Sequence, residues 1–413
     1  MKILHKGKRF MQIANAYCRL FAALIYVRVH KKLYQEKIWL ITEKRDEARD
    51  NGYWLFRYVK EKHTDVTAYF VLKKNSTDIK KLRCWENCIV EPDSFMHCIL
   101  YLAAEKNISS QNDGAYPFWK ILRRKDLKFW KKLSNPQQAV FFLQHGVIQD
   151  GIPHESFDYG KNPMDCFVVS AEREKRFIVD NYGYPEFRVP NLGLCRFDNL
   201  FNNRSETEKI VLVMPTWRIW LQPQIQDHGI EDSKRFESSE YCRAFRELLT
   251  SKKLLTEMKR NGYQVLFYPH YEMQKYIEAF RYVENDVVKI CPKEEYDVQD
   301  LLIRAKILIT DYSSVAFDFA YLDKPLVYYQ FDVERFSSDH FMKGYFDFKK
   351  DGFGPVFREL DAMIEYIAEK VDENSQNSMT YQTRGKVFFG RIDGMNSQRT
   401  FDYIRDFSND GGL

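Results

Sequence analysis

The 413-residue sequence contains no glycine- or proline-rich tract, no internal repeat and no low-complexity segment, so nothing in it indicates a long flexible linker. It also lacks the Walker, G-x-G-x-x-G, H-E-x-x-H and G-x-S-x-G motifs. That absence argues against nucleoside triphosphatases, nicotinamide enzymes, zinc proteases and α/β-hydrolases. The longest uninterrupted apolar run near the start, Leu20–Val27, is too short to cross a bilayer. The chemistry therefore has to be inferred from residues outside these motifs.

The eight cysteines are scattered, and no group of them has the spacing of a metal site. Cys84 and Cys88 are separated by three residues and are followed by Cys98, which is not a typical zinc-binding pattern. We therefore predict free thiols in a reducing cytoplasm and no bound metal.

Positive charge is concentrated in two stretches of a chain whose formal net charge is +5. Residues 1–35 carry a net charge of +8 without a single acidic residue, and residues 116–134 carry +6. The remainder has a net charge of −9. The sequence thus describes a mildly acidic body with two basic patches.

Both basic patches also carry bulky apolar side chains. In residues 1–35, Phe10, Tyr17 and Phe21 belong to a series spaced like one face of an amphipathic helix. In residues 116–134, tryptophan, phenylalanine and leucine alternate with lysine and arginine. This combination predicts peripheral contact with an anionic membrane surface. The alternatives are a basic helix packed on the body and, less favoured, a nucleic-acid surface.

Strand-like and helix-like segments alternate along the chain in two series. The first runs from "IWLIT" (38–42) to "DCFVVS" (165–170), and the second from "KIVLVMPTWR" to "KPLVYY". This alternation predicts an α/β fold with parallel sheets in two Rossmann-like halves and a cleft between them. We expect a first domain over residues 36–200 and a second over 201–413, whose last helix can cross back onto the first.

Ligands of parallel α/β sheets bind at the carboxyl ends of the strands. Four predicted strands are followed there by polar residues or glycine: His145 and Gly146, Thr216 and Arg218, His270, and lastly Asp311, Ser313 and Ser314. Three of these four strands belong to the second series. We therefore predict that the second domain supplies most of the ligand contacts.

The stretch "DYSS" predicts a phosphate site. Ser313 and Ser314 fall where a helix starts, so backbone amides, hydroxyls and the helix dipole can face an anion. Arg218 can bind a phosphate through two parallel hydrogen bonds, and His270 adds a donor. Ordinary helix capping by the serines is the alternative. Asp311 either fixes the loop by accepting from backbone amides or reaches a sugar hydroxyl.

His145 is the candidate general base, because imidazole titrates near neutral pH. Gly146 beside it permits a tight turn and a close approach of substrate. Asp150, Glu155 and Asp158 are close in sequence and are candidates for orienting the imidazole.

Longer segments resemble a known family. "LITDYSSVAFDFAYLDKPLVYYQFD", together with "HG", "MPTWR", "YPH" and "GYFDFKKDGFGP", resembles the CDP-glycerol glycerophosphotransferases of teichoic acid synthesis. "EARDNGYWLFRYVKEKH" and "VVSAEREKRFIVDNYGYPEFRVPNLGLCRFDNL" resemble the first domain of that family. The resemblance covers roughly residues 38–370.

The resemblance implies a GT-B-like fold of two facing Rossmann-like domains in a monotopic enzyme on the cytoplasmic face of the membrane. Its implied reaction moves glycerol phosphate or ribitol phosphate from a CDP ester to a hydroxyl of a lipid-linked glycan or growing polymer, and CMP leaves. His145 would be the general base, and His270 would bind the donor pyrophosphate with Arg218, Ser313 and Ser314. No cofactor is implied beyond the CDP-polyol donor.

Two other functions remain open at this point. One is a sugar-nucleotide glycosyltransferase of capsule synthesis with the same fold, and the other is an inert membrane-bound scaffold. The sequence does not distinguish glycerol from ribitol, a primase from a polymerase, or a teichoic acid from a capsule product.

Overall fold

The structure, a computed structural model, describes residues 2–30, 37–222, 230–339, 344–372 and 376–408. The chain divides into two compact units. Unit 1 consists of the described parts of Met1–His145, Pro153–Asp198 and Met395–Leu413, and unit 2 of Gly146–Ile152 and the described parts of Asn199–Gly394.

Gly146–Ile152, predicted within the first domain, groups with unit 2 instead. Met395–Leu413 groups with unit 1, in line with the expectation that the last helix can cross back onto the first domain. The main division falls after Asp198, close to the predicted residue 200. The predicted boundary between residues 35 and 36 lies outside the described residues.

Unit 1 contains a parallel sheet of six strands in the order β3-β2-β1-β4-β5-β6. The strands are β1 (Ile38–Thr42), β2 (Thr67–Val71), β3 (Ile89–Val90), β4 (Lys106–Ser109), β5 (Ala139–Phe142) and β6 (Cys166–Phe167). The helices are α1 (Lys2–Val29), α2 (Asn51–Lys62), α3 (Phe95–Ala103), α4 (Arg124–Ser134), α5 (His154–Phe157) and α6 (Glu172–Tyr182), with 3₁₀ segments at Thr77–Cys88 and Glu186–Arg188. Helix α7 (Phe197–Asn203) crosses the division between the units.

Unit 2 contains a second parallel sheet of six strands, in the order β12-β11-β10-β7-β8-β9. The strands are β7 (Ile210–Val213), β8 (Gln264–Phe267), β9 (Val288–Ile290), β10 (Ile307–Thr310), β11 (Leu326–Tyr329) and β12 (Val356–Phe357). The helices are α8 (Ile230–Glu237), α9 (Glu240–Thr250), α10 (Lys252–Asn261), α11 (Val298–Arg304), α12 (Val315–Tyr321), α13 (Val333–Asp339), α14 (Leu360–Asp372) and α15 (Met379–Phe389), with 3₁₀ segments at Ile219–Leu221 and Tyr271–Val283. The last helix, α16 (Asn396–Asp406), belongs to unit 1.

When the strands of each sheet are numbered from the first one in the chain, both sheets have the doubly wound order 3-2-1-4-5-6. In unit 1 the central strand β1 pairs with β2 and β4, and in unit 2 β7 pairs with β8 and β10, always in parallel. The predicted α/β fold with two Rossmann-like halves is therefore confirmed. In such sheets ligands bind beyond the carboxyl ends of the strands, where the strand order reverses. These places are the ends of β1 and β4 in unit 1 and of β7 and β10 in unit 2.

Most strands consist mainly of apolar residues, which are buried in the interior of their units. Strand β1 has the predicted bounds, and all of its residues are buried, as are all residues of β10. Helix α9 buries one face that includes Phe245 and Leu248, and it is capped by Ser239, whose Oγ accepts from the Cys242 amide at 3.1 Å. Burial of each large apolar side chain contributes about 1.5–3 kcal/mol.

Helix α1 packs on unit 1 through one face and leaves the other uncovered. The buried face consists of Ala16, Leu20, Ala23, Leu24 and Val27, which lie in a cluster with α3. The exposed face carries Phe10, Met11, Phe21, Ile25 and Val29. By length and composition alone, Gly7–Val29 passes the test for a helix that could cross a membrane, since a window of 18 residues within it has a mean hydropathy of 1.3. The expectation from the sequence concerned only the uninterrupted apolar run Leu20–Val27, which is shorter than this helix.

The two basic patches of the sequence lie in one region of unit 1. The rings of Tyr17 on α1 and Trp130 on α4 are 6.3 Å apart, and Arg28 Nη2 donates to the Leu133 carbonyl at 3.1 Å. Large apolar side chains of residues 116–134 also remain exposed, namely Trp119, Phe129 and Leu133. In each patch, therefore, some apolar side chains pack on unit 1 and others are exposed.

Candidate functional site

The loops after β7 and β10 are tied together by one buried carboxylate. Asp311 is fully buried, and its Oδ1 accepts from the amides of Thr216 at 2.8 Å and Tyr312 at 2.7 Å. Burial raises the pKa of Asp311, while Arg218 and these two amides act in the opposite direction. Of the two predicted roles, the structure supports fixing of the loop. Because solvent does not reach the Asp311 carboxylate, the structure does not support a contact between it and a ligand.

Arg218 is also fully buried, and its guanidinium is occupied by protein groups. Nε and Nη2 donate to Asp332 at 2.7 and 3.1 Å, and Nη1 donates to the carbonyl of Thr216 at 3.0 Å. Nη2 also lies 2.9 Å from Asp311 Oδ2. The structure therefore does not support the predicted bidentate phosphate contact of Arg218, because the described donors of its guanidinium are used within unit 2.

Aromatic rings enclose this buried ion cluster. Tyr312 stacks on Phe336 with ring centroids 3.6 Å apart, and the Arg218 guanidinium carbon lies 5.1 Å from the centre of each ring. Burial alone would lower the pKa of Arg218, but the charges of Asp311 and Asp332 outweigh it and raise that pKa. The arginine thus remains charged and holds Tyr312, whose main chain leads directly into Ser313 and Ser314.

The two serines at the start of α12 have different surroundings. Ser313 Oγ accepts from the Val315 amide at 3.3 Å, which is the capping contact considered as the alternative. Ser314 occupies the cap position of α12, and its side chain makes no capping hydrogen bond. Both serines are only partly buried. Ser314 therefore presents the hydroxyl better suited to an external acceptor.

His270 follows β8 and lies beside the loop of Thr216. Its amide donates to the Pro215 carbonyl at 3.0 Å, and its Nδ1 accepts from the Glu272 amide at 3.3 Å. With Nδ1 as acceptor, the proton of the neutral ring is on Nε2. Thr216 itself is almost completely buried, and the described contacts of Thr216 are made by its main chain. Unit 2 thus brings together the predicted residues that follow β7, β8 and β10.

The segment after His145 packs on the serine loop. A Cβ on Gly146 would be 2.8 Å from Ser314 Oγ, so a larger residue would displace that hydroxyl. Further along the segment, Gln149 Nε2 donates to the Tyr312 carbonyl. Gly146 was predicted to allow a close approach of substrate, and the close approach in the structure is to Ser314.

His145 itself is the last residue of its segment in unit 1, and its side chain is exposed. Although water reaches the ring, the surrounding protein removes enough hydration to lower its pKa to about 4. The positive charges of Arg196 and Lys44 act in the same direction. The imidazole is therefore neutral at physiological pH and able to accept a proton.

The main chain at His145 is fixed by residues that the sequence analysis did not name. Arg196 Nη1 donates to the His145 carbonyl at 2.7 Å, and Asn51 Nδ2 donates to the Gln144 carbonyl at 2.7 Å. Gln144 has φ of 61°, a left-handed conformation that is uncommon outside glycine. The tight turn expected at Gly146 is thus made at Gln144. Arg196 and Asn51 lie in "CRFDNL" and "RDNG", inside the family-like segments quoted above.

The acidic residues considered for orienting His145 have other surroundings. Asp158 Oδ1 lies 2.6 Å from His154 Nδ1. Asp150 belongs to unit 2, where burial raises its pKa to about 6. Glu155 is exposed. The described contacts of His145 come instead from Arg196.

The place in unit 1 where the strand order reverses holds a carboxylate that sequence reasoning missed. Glu43, directly after β1, is buried and accepts from the amides of Arg49 at 2.7 Å, Asp50 at 3.1 Å and Tyr53 at 2.9 Å. Burial, reinforced by the charge of Asp50, raises the pKa of Glu43 well above its usual range. In the sequence, Glu43 could have been recognised as an acidic residue that directly follows a strand and precedes a capped helix.

Comparison with known families decides the assignment. Residues 23–406 match the family described as CDP-Glycerol:Poly(glycerophosphate) glycerophosphotransferase. The chain belongs to this family. The resemblance found in the sequence is therefore confirmed over almost the whole chain.

Individual members of the family are similar along much of the chain. The minor teichoic acid biosynthesis protein GgaB of Bacillus subtilis is 32% identical over 99% of this chain and 44% of its own length. A teichoic acid glycerol-phosphate transferase of Staphylococcus aureus is 29% identical over 61% of each chain. The chain thus spans only about half of the length of these curated relatives.

Solved structures share the fold. The wall teichoic acid polymerase TagF has a TM-score of 0.63 with 16% identity, covering 95% of this chain and 97% of that one. A variant of TagF soaked with CDPG has a TM-score of 0.65 with 14% identity over the same shares. These similarities support the GT-B-like fold predicted for this family.

Proposed function

We propose that this glycerophosphotransferase-family chain transfers a polyol phosphate, glycerol phosphate or ribitol phosphate, from its CDP ester to a hydroxyl of a lipid-linked glycan or growing polymer. CMP is the other product. The observation that carries the proposal is the serine loop of unit 2, which the buried Asp311–Arg218–Asp332 cluster holds beside His270. Membership of the family supports the same chemistry.

The donor pyrophosphate binds to Ser314 and His270. Hydroxyl and imidazole N–H groups donate to phosphate oxygens, and hydrogen bonds to charged groups contribute about 1.5–3 kcal/mol each. Ser313 Oγ accepts from the Val315 amide and keeps the first turn of α12 in place. Arg218 and Asp311 act indirectly, since they fix the main chain that carries the serines.

His145 removes the proton from the acceptor hydroxyl. The oxygen forms a bond to the phosphorus that carries the polyol, the bond from that phosphorus to the bridging oxygen of CMP breaks, and CMP leaves with the electron pair. The neutral imidazole is in the protonation state that this step needs. The donors around the leaving group stabilise its charge, so we propose that no metal is required.

The chain binds the cytoplasmic face of the cell membrane through α1 and α4. The exposed apolar residues of α1, Phe10 and Phe21 among them, and Phe129 of α4 enter the lipid interface, and lysine and arginine contact anionic headgroups. The packing of α1 on α3 along one face supports the proposal of an interfacial helix over one that is surrounded by lipid. Flotation with phosphatidylglycerol vesicles tests this role: the double change Phe10→Ser and Phe21→Ser should release the protein into the soluble fraction, and retention at the wild-type level would refute it.

A donor screen tests the proposed reaction. The purified chain is incubated with CDP-glycerol, CDP-ribitol and a set of CMP-, UDP- and GDP-sugars, with a lipid-linked acceptor, and the released nucleotide and product mass are measured. Release of CMP with a mass gain of one polyol phosphate or several is expected. Turnover of sugar nucleotides alone would indicate a glycosyltransferase, and binding of no nucleotide would indicate a scaffold. Either result would reject the proposal.

A further inference from the structure

Unit 2 contains a cavity at the amino ends of β10 and β11, whereas the serine loop follows the carboxyl end of β10. The cavity has a volume of about 740 Å³ and is lined by Lys306, directly before β10, and Pro325, directly before β11. The serine loop lies beyond the other end of β10. At about 3.3 Å per residue, the five steps from Lys306 to Asp311 put roughly 16 Å between the cavity wall and the donor loop. The cavity is therefore separate from the donor site.

The wall of this cavity carries an excess of positive charge. Arg204, Lys306 and Lys386 line it, against the single carboxylate of Asp323. Arg204 and Lys386 are exposed; the Arg204 guanidinium lies over the Phe201 ring, and the charge of Lys386 favours the ionised form of Asp323. Cations around a concave site of this size attract a phosphate-bearing ligand.

Amide side chains line the same cavity. Gln376, Asn377 and Gln382 belong to its wall. Gln382 Nε2 donates to the Asn377 carbonyl at 3.3 Å, which joins two of these residues. Primary amides both donate and accept hydrogen bonds, and they can therefore bind sugar-alcohol hydroxyls. A ligand with both phosphate and hydroxyl groups matches this combination better than inorganic phosphate does.

The floor of the cavity is held rigidly. The ammonium group of Lys324 is buried and donates to the carbonyls of Leu302, Ile303 and Ala305 at the end of α11. Lys324 therefore fixes the wall and is not a ligand contact. Because a built wall does not have to be ordered on binding, less conformational entropy is lost when a ligand enters.

We propose that this cavity binds a segment of the polyol-phosphate chain itself, through its phosphodiester groups and hydroxyls. The inference rests on the proposed function, which supplies such a chain as acceptor or product. A polymer bound in this cavity stays attached to unit 2 at a distance from the donor loop. The enzyme can then add more units before the polymer dissociates, and the chemical step itself is unchanged.

Direct binding in the absence of donor tests the cavity independently of catalysis. The full chain is titrated calorimetrically with a defined glycerol-phosphate oligomer and, separately, with inorganic phosphate. The double variant Arg204→Gln and Lys386→Gln should weaken oligomer binding at least about tenfold, since two charge-assisted contacts are lost. The matched control is Arg243→Gln and Lys252→Gln, two exposed cations elsewhere in unit 2, which should bind as the wild type does.

Three results would overturn the inference: no oligomer binding to the wild type, equal weakening by the control pair, or phosphate binding that the oligomer does not displace. CMP release with a short acceptor separates this outcome from that of the proposed function. The cavity variant should keep the wild-type rate in that assay and make shorter products. A chain that binds the oligomer but releases no CMP would reject the proposed function and leave the cavity assignment standing.

Discussion

The two places where the strand order reverses differ in what occupies them. In unit 1, Glu43 accepts from amides before and within the first turn of α2. In unit 2, Asp311 accepts from Thr216 and Tyr312, and the start of α12 is left to two serines. An internal carboxyl group already accepts from these amides in unit 1, whereas serine hydroxyls can donate to an incoming anion in unit 2. Two sheets of the same topology can therefore have opposite affinities for phosphate, and unit 2 is the one suited to the donor.

The largest expected effect concerns His145, the proposed base, which follows β5 in unit 1. His145→Ala should lower kcat about 10²- to 10⁴-fold, the usual contribution of a general base. Donor affinity should stay near the wild-type value, because the phosphate contacts are assigned to unit 2. Single-turnover CMP release and calorimetric donor binding measure the two quantities. Unchanged turnover, or a loss confined to donor binding, would remove His145 from the chemical step.

The next effect tests whether unit 2 depends on its buried ion cluster. Arg218→Met keeps most of the volume but leaves Asp311 and Asp332 buried without their counter-charge. We expect the free energy of unfolding to fall by about 3–5 kcal/mol. Chemical denaturation measures it, with the exposed Arg243→Met as control. If the variant were stable but bound the donor more weakly, the result would instead favour a direct contact between Arg218 and the phosphate, which the burial of this side chain argues against.

A paired change compares the serine loop with its counterpart in unit 1. Ser314→Ala should weaken donor binding about tenfold, the loss of one hydrogen bond to a charged group. Glu43→Gln should destabilise unit 1, because a buried acceptor of several amides is altered, and leave donor affinity unchanged. Calorimetry with the CDP-polyol distinguishes the two variants. The reverse pattern would transfer the donor site to unit 1.

The smallest effect is a shift in pH dependence. Because the pKa of His145 is lowered to about 4, kcat/KM should fall only as the pH drops through that range and not near the ordinary value of histidine. Lys44→Gln removes a positive charge that disfavours the protonated ring. The acid limb should therefore move to higher pH. A limb unaffected by Lys44→Gln would mean that another group titrates.

Much of the site could be located from strand ends alone. The bounds of β1, the alternation of elements and the residues after β5, β7, β8 and β10 follow from runs of apolar residues and the polar groups behind them. Arg218 shows where this reasoning fails. Its place after a strand predicted a ligand contact, but Asp332, more than a hundred residues away, pairs with it in the interior.

The sequence by itself determined the apolar strands, the basic patches and the family, because each depends on neighbouring residues or on segments that can be recognised in isolation. Only the tertiary structure decided the role of β4, a central strand that reads "KNIS" and gives no apolar signal. Lys106 is buried there because its ammonium donates to the Phe407 carbonyl, and Asn107 because it accepts from the Ala115 amide. Burial of polar groups depends on partners distant in sequence, and local patterns carry no information about them.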